Sequence, residues 1–266
     1  MRQISVYAVG IAMAIVLSFT AFAATEKKSP DAEYLPKNVQ PNPSETKHGS
    51  PAKVLPTNNF ASETLAAEPV SLTPAVGYWL IGLDDEKKVL VVDGRKWEEG
   101  NAAGGIAEKA KAIYGERYAE FLDGVKKFAY FPFAVANYVD DFNKGEISVR
   151  FKPVSGSVDQ AGGIIFNVKP NGDYLILRAN ALEENLVLFK YVKGKRSSVK
   201  WVKNVPTPTK QWHDLKLTVA GKEISGFLDG KKYLDFTLPE PVSGKVGLWS
   251  KADSVTYFTD FTVKTN

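Results

Sequence analysis

The sequence contains no cysteine, and that absence excludes several classes of protein at once. No disulfide can staple the fold, no thiolate can bind zinc, and no cysteine nucleophile exists. The lipid-modified cysteine of a bacterial lipoprotein is excluded as well. Histidine is scarce. His48 stands in a polar stretch with no partner ligand nearby, and His213 follows Trp212 in an alternating apolar run. Two histidines without cysteine leave little with which to build a zinc centre. No G-x-S-x-G elbow and no phosphate-cradling glycine loop occurs, Gly104-Gly105 being only a loop pair. Charge of one sign is also in short supply. With 34 Lys and Arg against 30 Asp and Glu, the net charge of +4 falls far short of the basic stripe of a nucleic-acid binder.

What is present is apolar and aromatic. Hydrophobic residues make up 44% of the 266 residues and aromatics 12%, enough for a substantial core rich in strand-favouring side chains. At the N-terminus, Arg2 precedes the apolar run ISVYAVGIAMAIVLSF (4–19) and the small-residue exit Ala21-Phe22-Ala23. This pattern is that of a signal peptide cleaved after Ala23, which predicts a bacterial periplasmic or secreted protein with no membrane insertion once the leader is gone. Residues 24–74 hold eight of the fifteen prolines among Ser, Thr, Asn and Lys, without an apolar period. They are expected to form a disordered linker.

From residue 75 to 266 the texture is that of one domain. YWLIGL (78–83) and KVLVVDGRKW (88–97) read as strands around a charged turn. IAEKAKAIYGERYAEFLDGVKKF (106–128) is the one helical stretch. Ala110 and Ile113 share a side, as do Tyr118, Phe121, Leu122 and Val125, and Gly115 is expected to break it in two. After Phe131 the chain alternates. EISVRFKPV (146–154) turns Ile147, Val149 and Phe151 inward against Glu146, Ser148, Arg150 and Lys152. NLVLFKYV and SVKWVKNV form a hairpin about GKRS, and Asp229-Gly230 is a strong hairpin turn. Short strands with regular turn signals and no alternating helices predict an all-β antiparallel sandwich with a short helical insertion.

WHDLKLTVAGKEISGFLDGKKYLDFTL (212–238) and GKVGLWSKADSVTYFTDFTV (244–263) carry a resemblance. They resemble the closing half of a concanavalin A-like jelly-roll sandwich, a superfamily that includes laminin G-like domains, legume and pentraxin lectins and several glycoside hydrolases. YLILRANALEENLVLFKYVKGKR, with FAVANYVDDFNKGEISVRFKPVSGSVDQAGGIIF, is similar to secreted bacterial proteins near the 3-keto-disaccharide hydrolase domain group. In the closing strands, Val246, Leu248, Val255, Tyr257, Phe261 and Val263 are expected inward, with Trp249, Lys251, Phe258 and Asp260 on the other face.

The resemblance implies a carbohydrate ligand. Glycosidases need two carboxylates about 5 Å apart for retention or about 6.5–9.5 Å for inversion. The E-x-D-x-E strand that supplies them in sandwich-fold glucanases is absent. A non-catalytic module binding an oligosaccharide or polysaccharide is the first reading. Its ligand residues are Asp159 and Gln160 in one turn, Arg178, Asn180, Glu183 and Asn185 in RANALEEN, and Lys251 and Asp253 in the last turn, with Trp249 or Trp201 as a flat aromatic platform. A metal-assisted hydrolase or lyase of modified glycosides, with Glu183 and Asp253 as acid or base, is the alternative. A third reading is a cell-envelope module that binds protein through the basic hairpin KYVKGKRSSVKWVK (190–203). The resemblance also implies a structural Ca²⁺ near Asp260.

Overall fold

The computed structural model describes residues 53–55, 57–95, 106–118 and 131–265. Two antiparallel sheets stack face to face. The first runs in the order β13 (Lys231–Thr237), β12 (Glu223–Leu228), β11 (His213–Ala220), β6 (Lys144–Ser155), β15 (Val255–Thr265), β4 (Lys87–Asp93) and β3 (Trp79–Asp84), and β1 (Lys53–Val54) pairs with β15. The second runs β10 (Lys195–Lys203), β9 (Asn185–Val192), β8 (Tyr174–Asn180), β7 (Ala161–Val168), β14 (Lys245–Trp249), β5 (Phe133–Ala136) and β2 (Leu72–Val76).

Period-2 patterning sets the faces. Along β6, Ile147, Val149 and Phe151 are buried while Arg150 is exposed, so each second side chain joins the core between the sheets. That core is aromatic and aliphatic, with Phe60, Trp79, Phe142, Phe151, Phe166 and Phe258 among its largest members. Tight turns with both central residues at positive φ close three hairpins: Asp85-Glu86, Lys193-Gly194 and Asp229-Gly230. Their backbone twist matches that of the flanking strands. The β9–β10 turn is therefore Lys193-Gly194, one step earlier than the expected GKRS.

A second apolar layer lies on the outer face of the second sheet. Here Phe133, Tyr174, Tyr191 and Trp249 meet Phe131 and the helix α1 (Ile106–Tyr114) through Ala110 and Ile113. Gly115 takes φ +57° and opens a 3-10 turn through Arg117, the break its sequence position implies. Phe121, Leu122 and Val125, the rest of the expected helix, lie outside the described residues. So do the expected signal peptide, residues 24–52 and His48.

Two expectations need correction. The linker is expected to reach residue 74, yet the fold already includes residues 53–55 and 57–74. Lys53 and Val54 pair with Thr265 and Lys264, Phe60 is fully buried, and the Glu63 carboxylate accepts the backbone N–H groups of Val70 and Ser71 at 2.7 and 3.0 Å. A proline-rich segment can be well ordered when its remaining N–H groups and apolar side chains find partners. The alternation of β15 also breaks. A register shift between Thr259 and Thr262 brings Phe258, Phe261 and Val263 all into the core, so Phe258 does not share a face with Asp260. Such a bulge resets strand parity and leaves no mark in a period-2 pattern.

Candidate functional site

The residues singled out in three separate stretches meet at one end of the second sheet. Asp159 ends the turn before β7, Arg178 and Asn180 end β8, Glu183 lies in the following turn, Asn185 begins β9, and Lys251 follows β14. Lys251 Nζ lies 2.6 Å from Asp159 Oδ2 and 4.0 Å from Glu183 Oε1. Asn180 Nδ2 donates to Asp159 Oδ1 at 2.7 Å. Glu183 Oε2 accepts from Arg178 Nη2 at 3.0 Å and from Asn185 Nδ2 at 2.8 Å. The result is one chain of charge-assisted bonds from Asp159 through Lys251 to Glu183 and Arg178.

Strand register explains the convergence. On the outer face of the sheet Gly163, Arg178, Val187 and Trp201 lie in one row across four strands, and Ala161, Asn180, Asn185 and Lys203 in the next. Gly163 packs tightly against β8, where an added Cβ would stand 3.0 Å from the Leu177 carbonyl oxygen and 3.4 Å from the Arg178 Cβ. The guanidinium sits 5.3 Å from the Phe189 ring centroid. Phe189 escaped sequence reasoning, because an apolar residue in an apolar strand gives no sign of bearing a cation.

The members differ in role. Asp253 is a loop cap: its carboxylate accepts the backbone N–H groups of Ser157, Val158 and Asp159 and the Ser157 hydroxyl. Burial alone would raise its pKa, but these four donors together hold it below the ordinary carboxylate value. Gln160 likewise serves its own turn, donating to the Gly156 carbonyl at 3.1 Å. Asn180 Oδ1 accepts the N–H of Leu182 at 3.0 Å.

The ionic centre is less complete. Burial lowers the pKa of the Arg178 guanidinium and raises that of the Asp159 carboxyl, which is fully buried against Lys251. Burial also pushes the Glu183 carboxyl up, but Arg178, Asn185 and Lys251 more than offset it and leave it lowered. Among the described residues Arg178, only 1% exposed, has no hydrogen-bond partner at Nε or Nη1, and Asn185 has none at Oδ1. The cluster reaches solvent at Glu183, whose side chain is 35% exposed, and at Lys251.

Trp249 is not the platform expected of it. It is fully buried, with its ring stacked on Phe131 at a centroid distance of 5.6 Å. Alternation assigned its face correctly and gave no sign that another layer covers that face. Trp201 is 44% exposed and stands edge-on to Phe189, in the same row as Arg178 and two strands from it.

A surface cavity of about 730 Å³ lies on the opposite sheet and is lined by Asp84, Arg150, Trp212 and Asp260 among others. Two of its charged side chains, Asp84 and Arg150, already have partners of opposite charge. Asp84 accepts from Lys152 Nζ at 2.7 Å and from Trp212 Nε1 at 3.1 Å. Arg150 lies 3.2 Å from Asp214 and 3.8 Å from Asp260, with its guanidinium 5.5 Å from the Trp212 ring centroid. The arginine beside Asp260 does not fit a calcium site, where a second cation would face the metal. Among the described residues no group of three or more His, Cys, Asp or Glu is arranged to hold a metal ion. His213 is structural. Nδ1 lies 2.8 Å from Asp229 and Nε2 2.9 Å from the Pro208 carbonyl oxygen.

No protein-family profile and no curated protein sequence matches the chain. Solved structures do. The carbohydrate-binding module CBM66 from Bacillus subtilis superposes with a TM-score of 0.51 at 16% identity, over 74% of this chain and 96% of that one. A Bacillus subtilis protein of unknown function with a galectin-like fold gives 0.51 at 15% identity, over 79% and 94%. At such identities the likeness concerns backbone architecture. The chain has a concanavalin A-like jelly-roll sandwich fold.

Proposed function

We propose that this domain binds a glycan at the outer end of the second sheet, with Arg178, Asn185, Glu183 and Lys251 contacting hydroxyl groups and Trp201 flanking them. The observation that carries the reading is the buried, incomplete bonding of Arg178 Nε and Nη1 and Asn185 Oδ1 within an otherwise saturated ionic network. Buried polar groups almost always find partners, so two donors and an acceptor left over in one cluster ask for a ligand. A sugar ring answers both needs, because each hydroxyl donates and accepts and adjacent hydroxyls match the guanidinium fork. The carbohydrate-binding module that shares this fold supports the same reading. The leader read at residues 1–23 makes export to the periplasm or medium part of the proposal, and the mature chain is expected to begin at Ala24.

Binding is favoured over turnover. A glycosidic acid needs a raised pKa in an accessible cleft. Glu183 and Asp253, the candidate acid and base, are both shifted the other way, and Asp159, the one raised carboxyl among the described residues, is sealed behind Lys251.

Calorimetric titration of the mature protein against an oligosaccharide panel tests this. A sugar bound at about 100 times its Kd should add about 2.7 kcal/mol to stability. Glu183→Gln and Trp201→Ala should each weaken that sugar about tenfold, consistent with roughly 1.4 kcal/mol per lost contact. A panel that binds nowhere sinks the proposal. Full affinity in Glu183→Gln would move the site elsewhere.

A further inference from the structure

We infer that the β9–β10 hairpin is a docking ribbon for an anionic polysaccharide. Residues 185–204 carry six cationic side chains, Lys190, Lys193, Lys195, Arg196, Lys200 and Lys203, and not one Asp or Glu. None of the six lies within 4.0 Å of a carboxylate oxygen among the described residues. By contrast Lys152, Lys216, Lys232, Lys245 and Lys264 each meet a carboxylate. The five lysines of the ribbon are exposed. Charge of one sign, left uncompensated, repels itself and is stabilised by a polyanion.

The ribbon is presented firmly. Its strand β10 is the end strand of the second sheet, with no strand paired along one side among the described residues. Arg196 is wedged between aromatic rings, its guanidinium 4.6 Å from the Phe189 centroid and 4.9 Å from that of Phe131. Lysine on an end strand discourages pairing with other sheets, but that purpose needs few residues and gains nothing from the exposed Trp201 and Val192.

The distribution favours a chain-like partner over a lipid surface. Register puts Arg196, Trp201 and Lys203 on the outer face, opposite Tyr191, Val187 and Asn185, and puts Lys195 and Lys200 on the other, opposite Val192 and Leu188. A flat membrane engages one face, and here the exposed apolar side chains, Trp201 and Val192, point to opposite faces. A flexible polymer can follow the end strand over its nine residues, roughly 27–30 Å, and meet charge on both sides.

The test is affinity for polygalacturonate, for its fully methyl-esterified and therefore uncharged form, and for phosphatidylglycerol vesicles. Wild-type protein should bind polygalacturonate and not the ester, with affinity falling at least about tenfold between 50 and 200 mM NaCl as screening and counterion release weaken. A quadruple variant, Lys193→Ser, Lys195→Ser, Lys200→Ser and Lys203→Ser, should lose about tenfold or more. A control removing Lys216, Lys222, Lys231 and Lys232 in the same way should change affinity less than about twofold. Equal losses in both variants, equal binding of the ester, or binding to vesicles alone would each overturn the inference. The variants spare Glu183 and Trp201, so failure here leaves the sugar site to be judged by its own substitutions.

Discussion

Replacing Lys251 by Met is expected to cost about 3–5 kcal/mol of folding stability, because it leaves a buried carboxylate without its cation. Asp159 has no solvent exposure, and Lys251 Nζ, at 2.6 Å, is its only ion-pair partner among the described residues. The melting temperature should fall by about 6–20 °C, at roughly 2–4 °C per kcal/mol for a domain of this size. The deficit depends on pH. Burial already raises the Asp159 pKa, and removing the cation raises it further. A carboxyl with a raised folded pKa penalises the fold as pH climbs through that pKa, and the penalty vanishes below the unfolded value of about 3.9. The variant should therefore be weakest at neutral and alkaline pH and approach wild type in acid. Adding Asp159→Asn should restore part of the loss, since the two positions are in contact and are expected to couple by about 0.5–3 kcal/mol. A single variant within about 1 kcal/mol of wild type at pH 7 would show that Asp159 is not held ionised by Lys251.

Removing the Asp253 carboxylate should cost about 3 kcal/mol, because three backbone N–H groups lose their acceptor together. Those donors belong to Ser157, Val158 and Asp159, so the substitution Asp253→Ala loosens the turn that positions Asp159 itself. Here the sign is opposite. The folded-state pKa of Asp253 is lowered, so its contribution is fully present above the unfolded carboxylate value and is lost as pH falls through the folded one. Urea titrations should find the largest gap between variant and wild type near pH 7 and a closing gap below about pH 4. A constant gap across that range would mean that the loop is held by something other than the charge.

The contrast between these two aspartates marks what the sequence reveals. Both were read as ligand residues because they are polar side chains in turns near apolar strands. The turns that carry them lie beside RANALEEN, because β14, β7 and β8 are neighbours in the second sheet. Their functions were not legible, because whether a carboxylate caps its own loop or faces a cation depends on atoms more than 90 residues away. The fold was more open to reading. Alternation in EISVRFKPV names Ile147, Val149 and Phe151 among the buried side chains of β6, and Asp229-Gly230 turns where expected. Alternation says which side chains share a face and is silent on what lies against it, so it cannot distinguish an exposed platform at Trp249 from a side chain covered by Phe131. The proline-rich composition of residues 53–74 was equally misleading, since ordering there comes from Glu63 and Phe60 rather than from any period.

The position of β15 has a consequence for how the chain is made. It is the last of the described strands to leave the ribosome, yet it lies inside the first sheet, between β6 and β4. Until it arrives, β6 and β4 each present an open edge of unpaired N–H and C=O groups. Closing them brings together partners as distant as Lys264 and Glu146, which meet at 3.2 Å across 118 positions. Such non-local pairing folds slowly, on the order of milliseconds to seconds. A nascent or truncated chain that lacks β15 is therefore a sticky half-sheet, and only a chain that carries β15 can bury both edges, so the arrival of this strand is itself the quality check on the domain.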